Sequence, residues 1–265
     1  MKDLKKHLRT KWLGQQFYHE ESVDSTNTRA RSLAEQGAVH GTVVAAEEQT
    51  SGKGRLGRGW VMPKGSSVAM TCILRPAFLP QDASMLTLLM GLSVAQALRR
   101  LYPLEAQIKW PNDIVISGKK ICGILTEMSA DPGQIHHVVI GVGINGNLTV
   151  FPEELREKAT SLQLELGARI RRAPLAAAVL EAFEENYEVF CSCGDLSPFQ
   201  GAYDRILVNR DAFVAVQGAG REQEGLCGIA RGISGRGELL VEREDGFVVK
   251  VNSGEVSVRG RDGYV

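Results

Sequence analysis

Apolar residues crowd nearly every side of the stretch Met85–Leu101, which predicts a helix packed deep against other structure. Elsewhere the pattern is sparser and its periods can be read. Residues 17–21 form a short strand pattern, and Ser25 stands where it can cap a helix running to about Gln36, with Gly37 as its stop. Residues 42–48 are a strand of β-branched and small side chains, and 68–74 alternate as another. Short strands follow at 107–109, 114–117 and 121–128, with Ser117-Gly118 as a hairpin turn between the last two. The continuous apolar strand at 138–142 opens into Gly143-Ile144-Asn145. Pro174 suits the first turn of a helix whose stripe is Val179, Leu180, Phe183, Tyr187 and Phe190.

After about Tyr203 the pattern changes. Short strands at 212–216, 226–233, 238–242, 247–251 and 255–259 alternate with glycine-bearing turns such as Asp245-Gly246. Strands of this length and spacing predict a small closed barrel. The expected architecture is α+β: a mixed sheet with flanking helices over residues 1–205, then an all-β domain over 206–265.

Composition narrows the function classes. Lys plus Arg equals Asp plus Glu at 31 each, so no global charge favours DNA, RNA or an anionic membrane. Any cationic function has to be local. The basic start MKDLKKHLRTKW lacks the apolar core of a secretory signal, and no apolar run approaches the roughly 20 residues of a membrane span. Five cysteines without framework spacing predict reduced, mostly buried thiols in a cytoplasmic protein. Cys191 and Cys193 have no second ligand pair nearby, and the adjacent His136 and His137 point to opposite faces of a strand, so no metal site is expected.

Local charge is concentrated in Gly52-Lys53-Gly54-Arg55-Leu56-Gly57-Arg58, which carries three glycines and three cations in seven residues. Glycine allows close backbone approach, exposed N–H groups form anion-binding concavities, and Lys and Arg add charge. Taken alone, such a stretch is more often a solvated connection. It is not a Walker A loop, since no Gly-Lys-Ser/Thr follows at the required spacing. Nor is it a dinucleotide fingerprint, because Pro63 and Gly65 prevent a helix from opening after it.

Lys109-Trp110-Pro111-Asn112-Asp113 is harder to explain structurally: a stiff corner is followed at once by two hydrogen-bonding side chains, with a cation at its head. One of Lys119 and Lys120 is a solvated edge lysine, and the other leads into a strand carrying Gly123, where glycine admits a close neighbour. Gly141-Val142-Gly143-Ile144-Asn145 repeats that theme.

Ser25-Thr26-Asn27, GKGRLGR, KWPND, KKICGI and GVGIN stand here in the order and spacing of the biotin protein ligases, which the chain resembles from about residue 17 to 260. The resemblance implies a class II synthetase-like catalytic domain followed by an SH3-like barrel. It implies that biotin and ATP, with Mg2+, form biotinyl-adenylate, and that biotin then passes to a lysine of a biotin carboxyl carrier domain. No enzyme nucleophile is needed. With about 15 residues before the catalytic start, the expected type is ligase-only, with no DNA-binding repressor function. Related ligases often form homodimers, so a homodimer is a further expectation. Lipoate or octanoate ligases share the catalytic fold but do not usually carry KWPND with this glycine-rich stretch and barrel.

By resemblance, Ser25, Thr26, Asn27 and Gln49 hold biotin, and Gly52, Lys53, Gly54 and Arg55 form a ligand-ordered loop over biotin and the adenylate phosphate. Lys120 bridges the biotin carboxyl and α-phosphate oxygens, and Gly123 lets biotin approach the backbone. Arg55 and Arg58 contact phosphate, Trp60 stacks near adenine, and Lys109, Asn112, Asn145 and Arg259 serve the nucleotide. Asp113 orients and deprotonates the incoming lysine, and Glu255 engages the acceptor. Lys53 stands where the family often has Arg, keeping the charge without the two-pronged donor.

Overall fold

The computed structural model describes residues 1–218, 225–254, 256–260 and 264. Fourteen strands and five helices follow in chain order among them. Strand β1 (Phe17–Glu20) leads to α1 (Thr26–Glu35) and β2 (Thr42–Ala46), and a hairpin of β3 (Gln49–Lys53) and β4 (Gly59–Met62) comes next. After β5 (Ser67–Leu74), α2 (Met85–Leu101) crosses to β6 (Gln107–Lys109), β7 (Asp113–Ile116), β8 (Lys119–Asp131) and β9 (Gln134–Asn145). Helices α3 (Leu162–Leu166), α4 (Arg172–Cys193) and α5 (Gln200–Arg205) precede β10 (Phe213–Gln217), β11 (Cys227–Ile233), β12 (Leu239–Glu242), β13 (Val248–Val251) and β14 (Ser257–Gly260).

The main sheet has the order β1-β2-β5-β9-β8-β7-β6, with β1 and β2 parallel and every other pair antiparallel. Its two faces follow from the period-2 alternation of strand side chains. Val43 and Ala45 of β2, Met70, Cys72 and Leu74 of β5, and Ile140, Val142 and Ile144 of β9 join the core under α2 and α4. Val44, Ile73 and Val139 point the other way, against Ala30, Leu33 and Ala34 of α1. The intervening residues on that second face of β8 and β9 include Gly123, Gly141 and Gly143, with Gly123 paired to Gly143. Small residues there leave a trough in the sheet surface beside the start of α1.

The all-β part orders its strands β13-β12-β11-β10-β14. A register shift between Ala230 and Gly232 bends β11. Val214, Val258 and Leu239 from this part belong to the same buried cluster as Leu88 and Ile108. The apolar core is therefore continuous across the sequence break near residue 205.

Two expectations need correction. The glycine-rich stretch is not an open loop: Gly52 pairs with Trp60 and Lys53 with Gly59, closed by a tight turn at Arg55–Gly57. Strand β3 tolerates this because a Cβ at Gly52 would lie 2.5 Å from the Trp60 carbonyl oxygen, so glycine is required for the two backbones to meet. The thiols are not mostly buried: Cys72 and Cys122 are, whereas Cys191, Cys193 and Cys227 are exposed. No helix among the described residues is long and apolar enough to cross a membrane.

Candidate active site

Two cavities lie side by side on the α1 face of the main sheet. The smaller, about 40 Å³, is floored by the glycine trough and bordered by Ser25, Thr26, Gln49 and Lys53. The larger, about 600 Å³, opens between the β3–β4 hairpin, the Lys109–Asp113 platform, residues 148–159 and strand β14. Gly54, Arg55, Trp60, Asn112 and Lys120 border both. The partition between the two spaces is thus built largely from cations and hydrogen-bond donors.

The small cavity is held open by a polar frame. Ser25 occupies the N-cap position of α1 with extended backbone, yet its hydroxyl makes no cap bond and borders the cavity instead. Thr26 donates from both its backbone N–H and its hydroxyl to Gln49 Oε1, at 2.8 and 3.0 Å. Thr71 Oγ1 donates to Asn27 Oδ1 at 2.8 Å and lies 2.9 Å from Thr26 Oγ1. Asn27 in turn donates to the Leu125 carbonyl and to Glu127. Asn27 also borders the small cavity, while both ends of its amide are engaged by the protein and lock α1 onto the sheet. A Cβ at Gly141 would sit 2.0 Å from Asn27 Oδ1, which explains glycine at that position. Lys53 borders the cavity with Nζ 3.0 Å from Thr28 Oγ1. Gly52 borders neither of these two cavities; it lines an adjoining groove together with Ser51 and Lys53.

Trp60 borders both cavities. Its indole lies on the trough, where a Cβ at Gly143 would meet ring atoms at 2.7 to 2.9 Å and one at Gly123 would meet the ring at 3.2 Å. Gly123 therefore admits Trp60 and Lys120 rather than an open approach to its backbone. The buried indole N–H has no hydrogen-bond partner among the described residues.

At the partition, Lys120 Nζ lies 2.6 Å from Asp113 Oδ1 and 5.6 Å from the centre of the Trp60 ring. The Lys120 backbone is fixed on its free side by residues 158–160, its N–H donating to the Lys158 carbonyl and its carbonyl accepting from Thr160. Asn112 Oδ1 accepts from Arg55 at 2.8 Å, while its Nδ2 donates to Asp113 Oδ1 and the Ile124 carbonyl. Arg55 also reaches the carbonyls of Ser253, Gly254 and Val256. Asn145 donates to the Thr160 carbonyl and borders the larger cavity.

Burial alone would raise the Asp113 carboxyl, but Lys120, Tyr264 and Lys109 together hold it below the usual carboxylate range. A carboxylate so stabilised is ionised in this resting arrangement, where it holds the Lys120 ammonium. Lys109 Nζ donates to the Val258 carbonyl and sits 4.3 Å from the centre of the Tyr264 ring. Burial lowers the Lys109 ammonium to about 8, with Arg259, Lys120 and Arg58 acting in the same direction against Asp113. Arg58 and Arg259 border the larger cavity. Glu255 lies outside the described residues.

Sequence reasoning missed Lys158, Phe151 and Glu154 on the 148–159 wall and Tyr264 beside Asp113. The wall has no regular period to mark it, and Tyr264 stands far from Asp113 in sequence. Among the described residues no group of three or more His, Cys, Asp or Glu could hold a metal ion.

Comparison with known proteins agrees with this geometry. Residues 20–145 match the biotin/lipoate A/B protein ligase family, and residues 216–259 match the biotin protein ligase C-terminal domain. The bifunctional ligase/repressor BirA of Bacillus subtilis is 36% identical over 254 residues, covering 95% of this chain and 76% of that protein. The biotin–[acetyl-CoA-carboxylase] ligase of Mycobacterium tuberculosis is 33% identical, covering 88% of this chain and 85% of its own. The biotin protein ligase from Aquifex aeolicus, solved in complex with biotin and ATP, superposes with a TM-score of 0.81 at 30% identity, covering 93% of this chain and 99% of that one. With relatives matched along most of their lengths and both characteristic regions present, this chain belongs to the biotin protein ligases.

Proposed function

We propose that the chain joins biotin to ATP, forming biotinyl-adenylate and pyrophosphate, and then transfers biotin to a lysine of a biotin carboxyl carrier domain. One observation carries the reading: a small, framed cavity and a large one share a partition made of Arg55, Asn112 and Lys120. In the first step a biotin carboxylate oxygen attacks the α-phosphorus and pyrophosphate leaves. The two reactants repel each other, so preorganised cations where their charges meet lower the barrier. Biotin takes the small cavity, its polar ring facing Ser25, Thr26 and Gln49, and this requires the Trp60 indole to leave the trough. The nucleotide takes the larger cavity, with Arg58, Lys109 and Arg259 toward its phosphates, and Mg2+ arrives with ATP as part of the substrate. In the second step the acceptor amine attacks the acyl carbonyl and AMP departs, so no side-chain nucleophile takes part. Residues 1–205 bind biotin and most of the nucleotide, while 206–265 add Arg259, close the site and face the carrier. A cytoplasmic setting and a homodimer belong to the same reading.

Replacing Lys120 with Ala removes the ammonium at the partition and slows pyrophosphate release by about 10²–10³-fold while leaving the fold intact. Normal release by that variant, measured with biotin and MgATP, overturns the role. A mass increase on an apo carrier domain tests the transfer step.

A further inference from the structure

The Asp113–Lys120 pair has a third member. Tyr264 donates its hydroxyl to Asp113 Oδ2, while Asp113 Oδ1 takes both Lys120 Nζ at 2.6 Å and Asn112 Nδ2 at 3.1 Å. The Tyr264 ring is itself fixed, with Lys109 Nζ 4.3 Å and the Arg259 guanidinium 5.7 Å from its centre. It forms part of the wall of the larger cavity, which stays open at about 600 Å³ beside it. The residue lies beyond the span matched to the family's C-terminal domain, 216–259.

We propose that Tyr264 is a positioning residue for adenylate formation: its hydroxyl pins one oxygen of Asp113, so that the other is the single resting place from which Lys120 turns to the reacting oxygens. This rests on the assignment of Lys120 given above. A carboxylate with one unsatisfied oxygen can rotate about its Cβ–Cγ bond, and an ammonium paired to it follows. With Oδ2 held, rotation is blocked and Lys120 is presented from one point. When Lys120 leaves for the biotin carboxylate and the α-phosphate, Tyr264 and Asn112 remain on Asp113. The carboxylate stays ionised and Lys120 keeps its proton, so it meets the phosphate as a cation.

The groups acting on Asp113 are Lys120 from β8, Lys109 from β6 and Tyr264 itself, while Arg259 and Arg58 act electrostatically on the phenol. All the cations favour the ionised carboxylate, and losing the phenol donor removes part of that support. The acid limb of catalysis in a Tyr264→Phe variant therefore moves to higher pH, toward the ordinary carboxylate range.

The test is the initial rate of pyrophosphate release against pH and against ATP, for wild type, Tyr264→Phe, Asp113→Asn and the double variant. Expected for Tyr264→Phe are a fall in kcat of about tenfold, an ATP KM near that of wild type and a raised acid limb. In the Asp113→Asn background the phenylalanine has little further effect, since the two act as a unit. A wild-type kcat and acid limb in Tyr264→Phe overturn the proposal. So does a loss confined to ATP KM, which makes Tyr264 only part of the nucleotide wall. If wild type itself releases no pyrophosphate, the assigned reaction and this role fail together; if it does and Tyr264→Phe matches it, only the role fails.

Discussion

At the scale of single residues the site is defined by how its cations are held. Lys109 is buried and surrounded by other positive groups, so its ammonium is lowered to about 8. Its charge is present below that pH and is lost as pH rises through it. Affinity for an anionic nucleotide in the free protein accordingly weakens above about pH 8, and Lys109→Met removes this limb while weakening binding at neutral pH. Calorimetric titration with ATP at several pH values checks both statements, and a flat profile in wild type contradicts them. Much of this was legible in the residues themselves: Arg55, Lys120 and Asn145 do meet at one cavity. The packing partners of Asn27 and the hairpin pairing of Gly52 were not, because neither leaves a periodic mark in the sequence. They appear only in the fold, where Asn27 meets Leu125, Glu127 and Thr71 and Gly52 pairs with Trp60.

At the scale of elements, periodicity served well wherever an element has one buried side. Helix α2 was delimited at both ends, and the strand at 138–142 was found because its core-facing residues are apolar. Its true length, Gln134–Asn145, was hidden by Gly141 and Gly143 on the other face and by the polar His136-His137 pair near its start. The β3–β4 hairpin escaped because its ladder is short and glycine-rich, with side chains that bury little, so no apolar alternation marks it. The trough beneath it depends on the absence of side chains. Gly141→Ala places a methyl group against Asn27 Oδ1, and that side chain is bonded on both sides and cannot retreat. We expect a stability loss of about 1–3 kcal/mol, read from chemical denaturation, with weakened biotin binding. An unchanged denaturation midpoint and biotin affinity would show that α1 can shift freely.

On the scale of the whole molecule, the sequence break near residue 205 is real in pattern but not in packing. Val214, Leu239 and Val258 share a core with Leu88 and Ile108, and Trp110 donates its indole N–H to the Gly237 carbonyl. The two parts should therefore unfold in one calorimetric transition, and two separated transitions would disprove the shared core. The same interlocking reaches into the site. Arg55 is bonded to the carbonyls of Ser253, Gly254 and Val256, and Lys109 to that of Val258. In the proposed reaction, phosphate oxygens that claim these cations compete with an existing backbone cage. Nucleotide affinity is then the difference between two sets of contacts, and when AMP forms with fewer anionic oxygens the cage can reclaim its cations. The resting contacts in this way favour product departure, and they tie the closing strand of the all-β part to the charge state of whatever the cavity holds.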